Sequence, residues 1–380
     1  MPPIYLDHAA ATPMDVRVLA AMQPYFSDTF YNPSAMYAAA REVRAVLDRA
    51  RGAVAQCLGA RPAEVVFTAG GTEANNLAIH GVMQQYPAGR LLVSAIEHDS
   101  VLAAAEPYVH DLIPVTADGF VDPEELGKQV TDDTVLISVM YVNNEIGTIQ
   151  PIREISRLIT GIRRERRERG VVLPLYFHTD AAQAANYLDL QVARLGVDML
   201  TLNGGKIYGP KQSGILYVRG GLKLEPLVRG GGQERGLRSG TENVPSIIGF
   251  AAGLTQAQDM RHDESKRLAD LQRDFFASLP SVLPTAVVNG STRRRLPNNI
   301  HVTLPGSDNE RLLFGLDAAG IMAAAGSACS ASSEESSHVL RAIGLDDGSA
   351  RASLRLTMGR GTSKADLDRT AEVLRGLLAT

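Results

Sequence analysis

An open, mostly parallel α/β sheet with helices on both faces, followed by a smaller α+β domain, is the fold class this sequence predicts. Two observations carry the large part. Apolar runs at Val65–Thr68, Leu91–Ile96, Val135–Val142, Leu175–Phe177, Met199–Leu202 and Ile215–Val218 have strand length, and amphipathic helical patterns fill several of the gaps between them. The third observation is a change of texture in the last third of the chain, where short strands with polar interruptions replace the long apolar runs. At 380 residues the chain is also long for one small domain. A large domain is expected over 15–255, and a small one over 1–14 and 256–380.

The elements follow in order. A helix is expected from Ser34 to Leu58, because Val43, Leu47, Ala50, Val54 and Cys57 step by four and three along one face. Ser34 can cap it, and Gly59 and Pro62 end it. A second helix, Thr72–Met83, places Ala74, Leu77, Ala78 and Gly81 on one side, and a third spans Ile152–Ile162. In the last third, Glu264–Leu279 reads as helix, and Asn299–Leu304 and Ala352–Thr357 read as strands. Ser363 and Asp366 make a capping box for a final helix with Leu367, Ala371, Leu374 and Leu378 inward.

Polar signatures fall at the ends of the predicted strands. Ala69-Gly70-Gly71-Thr72 follows the first, Glu97-His98 the second, Asn143-Asn144 the third, Asp180 and Gln183 the fourth, and Asn203-Gly204-Gly205-Lys206 the fifth. In an open parallel sheet, ligands bind beyond the carboxyl ends of the strands, so these groups converge on one crevice. Gly71 and Thr72 open a helix and can receive a phosphate through backbone N–H groups, the helix dipole and a hydroxyl; no Walker Lys-Ser/Thr pair follows. Asp180 is either the N-cap of the next helix or the partner of a protonated ring nitrogen. His98 is either a satisfied loop histidine or a ring that stacks on another. Asn144 and Gln183 can bond a ring hydroxyl. A lysine, an acid and an anion cup together fit pyridoxal phosphate, with Lys206 as the amine and Lys211 as the competing candidate.

Two further residues extend this reading. Cys329 lies in AAAGSACSASSEESSHVL, flanked by small and polar residues, a composition that favours an exposed mobile loop in which a thiol can deprotonate. Cys57, on the apolar helical stripe, reads as core. Arg355 alternates with Leu354 and Leu356 on a predicted strand; it is either a surface arginine or a clamp for a substrate carboxylate.

Composition excludes several other classes. A net charge of −4 gives no nucleic-acid footprint, and the RRERRER run at 163–169 reads as a solvated helical face. The 8 histidines are scattered without ligand spacing, so no metal site is expected. With 2 cysteines, no signal-like N-terminus and no apolar run of bilayer length, the chain reads as cytoplasmic, with no membrane partner.

The order LDHAAATP, YNPSA, TAGGTEANN, EHDSV, VNNEIGTIQP, TDAAQ, GGKIYGPK, RSGTEN, GSACSAS and LRLTMGR resembles the cysteine desulfurases of the class V aminotransferase group, nearly end to end from Tyr5. The resemblance implies a fold-type-I pyridoxal phosphate enzyme with a seven-stranded-type sheet, working as a homodimer. It implies that Lys206 forms the Schiff base, Asp180 pairs the pyridinium, His98 stacks on the ring, and Asn144, Gln183 and Asn203 support the cofactor. Gly71 and Thr72 would hold the phosphate, with Thr241 reaching the cofactor of the neighbouring subunit. Asn32 and Arg355 would hold the carboxylate of L-cysteine. Cys329 would take the sulfur as a persulfide, leave L-alanine, and pass the sulfur to an acceptor protein for iron–sulfur cluster assembly or tRNA thiolation. The same resemblance covers selenocysteine lyases and aminotransferases of the group as alternatives. Asn203-Gly204-Gly205 stands where many relatives carry Ser-Gly-His, which removes one side-chain donor to the phosphate.

Overall fold

The N-terminal stretch lays strand β1 (Ile4–Tyr5), short helices α1 (Val16–Met22) and α2 (Pro24–Ser27), and the long helix α3 (Ala38–Leu58) ahead of the main sheet. The computed structural model describes residues 2–326 and 336–379. Helix α3 begins at Ala38, not at Ser34. The side-chain oxygen of Asn32 accepts the Ser34 amide at 2.9 Å, which commits residues 32–35 to a turn, and Tyr37 takes the N-cap position without a side-chain bond. The helix closes on Gly59 in the left-handed region (φ 62°).

The main sheet contains β2 (Val65–Thr68), β3 (Arg90–Ser94), β4 (His110–Ile113), β5 (Thr134–Ser138), β6 (Tyr176–Asp180), β7 (Met199–Asn203) and β8 (Gly214–Val218), in the spatial order β2-β8-β7-β6-β5-β3-β4. Four pairings are parallel, and β8 runs antiparallel to both β7 and β2. Helices α4 (Gly71–Met83), α5 (Asp99–Ala105), α6 (Pro123–Gln129), α7 (Ile152–Glu168), α8 (Val192–Leu195) and α9 (Val244–Val282) connect and cover it. Alternate residues of one strand enter opposite cores, as the pleat requires. Phe67, Ile137, Phe177 and Leu200 pack with α3, α7 and α9, whereas Val66, Leu136, Met199 and Leu216 pack with α4 and α5. Apart from the edge strand β4, the strands are buried on both faces, which is why most of their sequences read as continuous apolar runs.

Several boundaries differ from the sequence expectation. Strand β5 stops at Ser138, although the Val139 and Tyr141 amides still donate to the His178 and Asp180 carbonyls, and β6 runs on to include His178, Thr179 and Asp180. Helix α7 continues past Ile162, and the RRERRER run is not wholly solvated: Arg166 is buried and donates to the carbonyls of Thr134 and Thr131, and Arg163 pairs with buried Asp198. Position 255 lies inside the uninterrupted helix α9, which spans from the large sheet to the C-terminal region.

That region builds β9 (Val287–Val288), β10 (Asn299–Thr303), α10 (Asn309–Ala318), β11 (Ile321–Met322), α11 (His338–Ala342), α12 (Asp347–Arg351), β12 (Ser353–Thr357) and α13 (Lys364–Leu378). The antiparallel order is β12-β10-β9, and β1 pairs in parallel with β11, so the N-terminus packs on this region. Ser363 and Asp366 form the capping box of α13 reciprocally. Among the described residues, no helix is long and apolar enough to cross a membrane.

Candidate active site

The carboxyl ends of β2, β3, β5, β6 and β7 open on one cavity, whose wall includes Gly71, Thr72, His98, Asn144, Asp180, Gln183, Asn203, Lys206 and Arg355. Lys206 ends a single 3-10 turn, Gly204–Lys206, directly after β7. Asn203 fixes that turn by accepting the Gly205 amide at 3.0 Å. Gly204 cannot be replaced: an added Cβ would come within 2.0 Å of Ser213 Oγ and 2.8 Å of the Pro210 carbonyl. The Lys206 ammonium donates to the carbonyl oxygens of Ala9 and Ala10, at 2.8 and 2.6 Å. Gln183 Nε2 also donates to the Ala9 carbonyl, at 3.0 Å. Lys211 is turned to the Thr12 carbonyl and does not line this cavity.

Asp180 is the last residue of β6 and is buried. One oxygen accepts the Ala182 amide at 2.9 Å, so it does cap the following turn; the other accepts from Asn75 Nδ2 at 2.7 Å. Asn75 also donates to Ser100 Oγ at 2.9 Å, which joins α4 to α5 beneath the cavity. Asn75 was not legible as a site residue. Its position one helical turn after Thr72, facing the sheet, was the available signal.

His98 is the N-cap of α5, and its Nδ1 accepts the Ser100 amide at 3.0 Å. That acceptor role assigns the ring proton to Nε2. The neighbouring Glu97 is fully buried, and one oxygen accepts the Met140 amide. Burial, together with the charge of Asp180, holds the Glu97 carboxyl well above the usual range.

Arg355 lies on β12 and is 1% exposed, so it is not a surface arginine. Its Nη2 donates to Asp7 Oδ1 at 2.7 Å and its Nη1 to the Asn144 carbonyl at 3.1 Å, while Nε is buried and has no partner among the described residues. Asn32 and Thr241 are exposed and stand outside the wall of this cavity. Cys329 lies outside the described residues.

These residues fit pyridoxal phosphate. The buried carboxylate is oriented by two donors, an amine faces it across the same cavity, and the helix α4 opens at Gly71-Thr72 after Gly70 in a glycine-only conformation (φ 145°). The buried oxygen of Asn75 and Nε of Arg355, both without partners among the described residues, leave hydrogen-bonding capacity in the wall. Gly71 and Thr72 would take the phosphate, Asp180 the ring nitrogen, His98 the ring face, and Asn144 and Gln183 the ring hydroxyl.

The chain matches the family "Aminotransferase class-V" over residues 4–369. It is 40% identical to "Cysteine desulfurase IscS" of Dictyoglomus turgidum, over 99% of this chain and 94% of that protein. It is 39% identical to the human "Cysteine desulfurase", over 97% of this chain and 80% of that one. Among solved structures it resembles a "NifS-like protein" (TM-score 0.90, 30% identity, 99% of both chains) and "SspA in complex with cysteine" (TM-score 0.79, 36% identity, 93% of this chain and 98% of that one).

Proposed function

This chain belongs to the aminotransferase class-V family, and from that premise we propose that it is a pyridoxal phosphate-dependent cysteine desulfurase. The observation that carries the reading is the convergence of Lys206, Asp180 and Arg355 on one cavity wall. Those are the three charges an amino-acid-transforming site of this kind needs: an amine, an acid for the ring, and a cation for a carboxylate. Bound there, pyridoxal phosphate supplies an electron-accepting ring.

The chain's residues then have distinct work. Lys206 would hold the cofactor through its amine, and the same amine would move protons at the substrate's carbon atoms. Asp180, oriented by Asn75 and Ala182, keeps the ring nitrogen protonated. His98, fixed by the Ser100 amide, stacks on the ring. Arg355 binds the α-carboxylate of L-cysteine. The Cys329 thiolate takes the substrate sulfur: the Cβ–S bond breaks, an S–S bond forms, and Cβ gains a proton to become L-alanine. The substrate carbon is reduced as the protein thiol becomes a persulfide, so no external oxidant is required. We assign the onward step to an acceptor protein serving iron–sulfur assembly or tRNA thiolation, in the cytoplasm. The working form is a homodimer, in which exposed Thr241 and Asn32 complete the partner's site or the substrate contact.

The test is mass spectrometry after exposure to L-cysteine. One added sulfur is expected on Cys329, with stoichiometric L-alanine and no sulfur on Cys57. Borohydride should fix the cofactor on Lys206. If Cys329→Ala left L-cysteine turnover intact, the desulfurase reading would fail in favour of another reaction of the family.

A further inference from the structure

The N-terminal segment carries a charge that faces the proposed substrate clamp. Arg355 is buried, and a buried guanidinium needs compensation. Asp7 supplies it, with Oδ1 at 2.7 Å from Nη2. The side chain of Asp7 is itself only 19% exposed. The other contact among the described residues, from Nη1 to the Asn144 carbonyl, is neutral, so among them Asp7 is the anion paired with Arg355. Asp7 is held independently of that pair. The Leu6 carbonyl accepts the Thr357 amide, and the Tyr5 hydroxyl donates to the Asp7 carbonyl at 3.0 Å.

We propose that Asp7 is a specificity-determining positioning residue: it orients Arg355 and sets, by charge competition, how strongly the site takes the carboxylate of its amino-acid substrate. This rests on the reading of Arg355 as the carboxylate clamp. An incoming carboxylate at Arg355, which lines the cavity, shares the guanidinium with Asp7, a like charge 2.7 Å from Nη2. Like charges about 4 Å apart repel by about 1 kcal/mol in water and about 4 kcal/mol near a protein surface, so Asp7 weakens carboxylate binding by at least several-fold. Asp7 therefore keeps carboxylate affinity low, which leaves product L-alanine free to depart.

The experiment measures L-alanine and L-alaninamide binding to the holoenzyme by isothermal titration; the amide keeps the amine and methyl group and lacks the charge. Asp7→Asn preserves an oxygen for Nη2 and removes the charge. It should tighten L-alanine about three- to tenfold and leave L-alaninamide unchanged, and KM for L-cysteine should fall while kcat falls less than twofold or not at all. If both ligands shift together, or neither does, Asp7 acts only structurally and the inference is overturned. If Asp7→Asn does not fold, Asp7→Glu carries the test: with the charge kept, L-alanine should stay within about twofold of wild type, and tenfold tightening overturns the inference. Arg355→Gln, which removes the cation, separates the two layers. A preference for L-alanine over L-alaninamide that survives it removes the clamp and this inference together. A lost preference with Asp7→Asn unmoved removes this inference alone.

Discussion

The carboxylate of Asp180 is held at both oxygens, and one of its two donors is Asn75 at 2.7 Å. Asn75→Ala removes that donor from a buried acceptor, a loss of about 1–3 kcal/mol. If Asp180 serves the cofactor ring, that loss falls on cofactor affinity: titration of the apo-protein with pyridoxal phosphate should give a Kd about tenfold weaker, with the far-ultraviolet spectrum unchanged. An unaltered Kd would detach Asp180 from the cofactor. Gly205 offers the opposite case. A Cβ added there meets Asn203 Oδ1 at 3.4 Å and Lys211 Cγ and Cα at 3.7 and 4.0 Å, which is ordinary contact, so a Cβ is accommodated. Gly205→His restores the donor that many relatives place before the lysine and should tighten the cofactor several-fold in the same titration. A weaker Kd would mean that the Asn203–Gly205 turn already fills that role.

At the scale of elements, two helix starts make comparable demands on stability and different demands on function. Gly70 precedes α4 at φ 145°, where a side chain costs about 1–3 kcal/mol. Ser363 caps α13 far from the cavity, and Ser363→Ala costs about 1 kcal/mol. Both Gly70→Ala and Ser363→Ala should lower the unfolding midpoint, and only Gly70→Ala should also weaken the cofactor. Equal cofactor affinity in the two variants would remove the anion-cup role from the α4 terminus. Both starts were legible, because glycine pairs and capping boxes are local chemistry. The same holds for β7, the lysine turn and β8, which read as two apolar runs around a glycine bend. Strand β4 was not legible: it lies at the sheet edge, and His110-Asp111-Leu112-Ile113 has a single buried residue. The start of α3 was missed because Asn32 captures the Ser34 amide, a local competitor invisible to periodicity. Asn75 and Asp7 were missed for a different reason. Each acquires its role from a partner more than a hundred positions away, and no spacing rule reports such a pairing.

Across the whole molecule, buried titratable groups make stability depend on pH in a direction that can be worked out. His178 in the large sheet bonds Ser138 and Thr201 and is pushed down to about 4 by burial. His301, opposite Arg355 on β10, is pushed down to about 3 by burial and by the charges of Arg295 and Arg355. His8 and His80 are lowered by burial as well. In the unfolded chain each histidine takes its proton near 6.5. Below that value the unfolded state binds more protons than the folded one, so the histidine contribution is fully present above 6.5 and is lost as pH falls. Glu97 has the opposite sign: its folded carboxyl keeps its proton above the ordinary 4.5, so its contribution declines as pH rises past that point. Carboxylates held low, such as Asp15 at about 2 through its bond with Arg17, lose their contribution only below the ordinary carboxylate range. Near pH 5 His178 and His301 together therefore outweigh Glu97 by about one proton, or about 1.4 kcal/mol per pH unit, and this surplus fades as pH approaches 6.5. Urea unfolding of the chain should lose about that much per unit on acidification near pH 5 and less near 6.5. His301→Gln should reduce the slope by about 1.4 kcal/mol per unit, since it removes one buried neutral imidazole. An unchanged slope in that variant would mean that His301 is protonated in the folded state, and Arg355 would then face a second cation across the β10–β12 ladder.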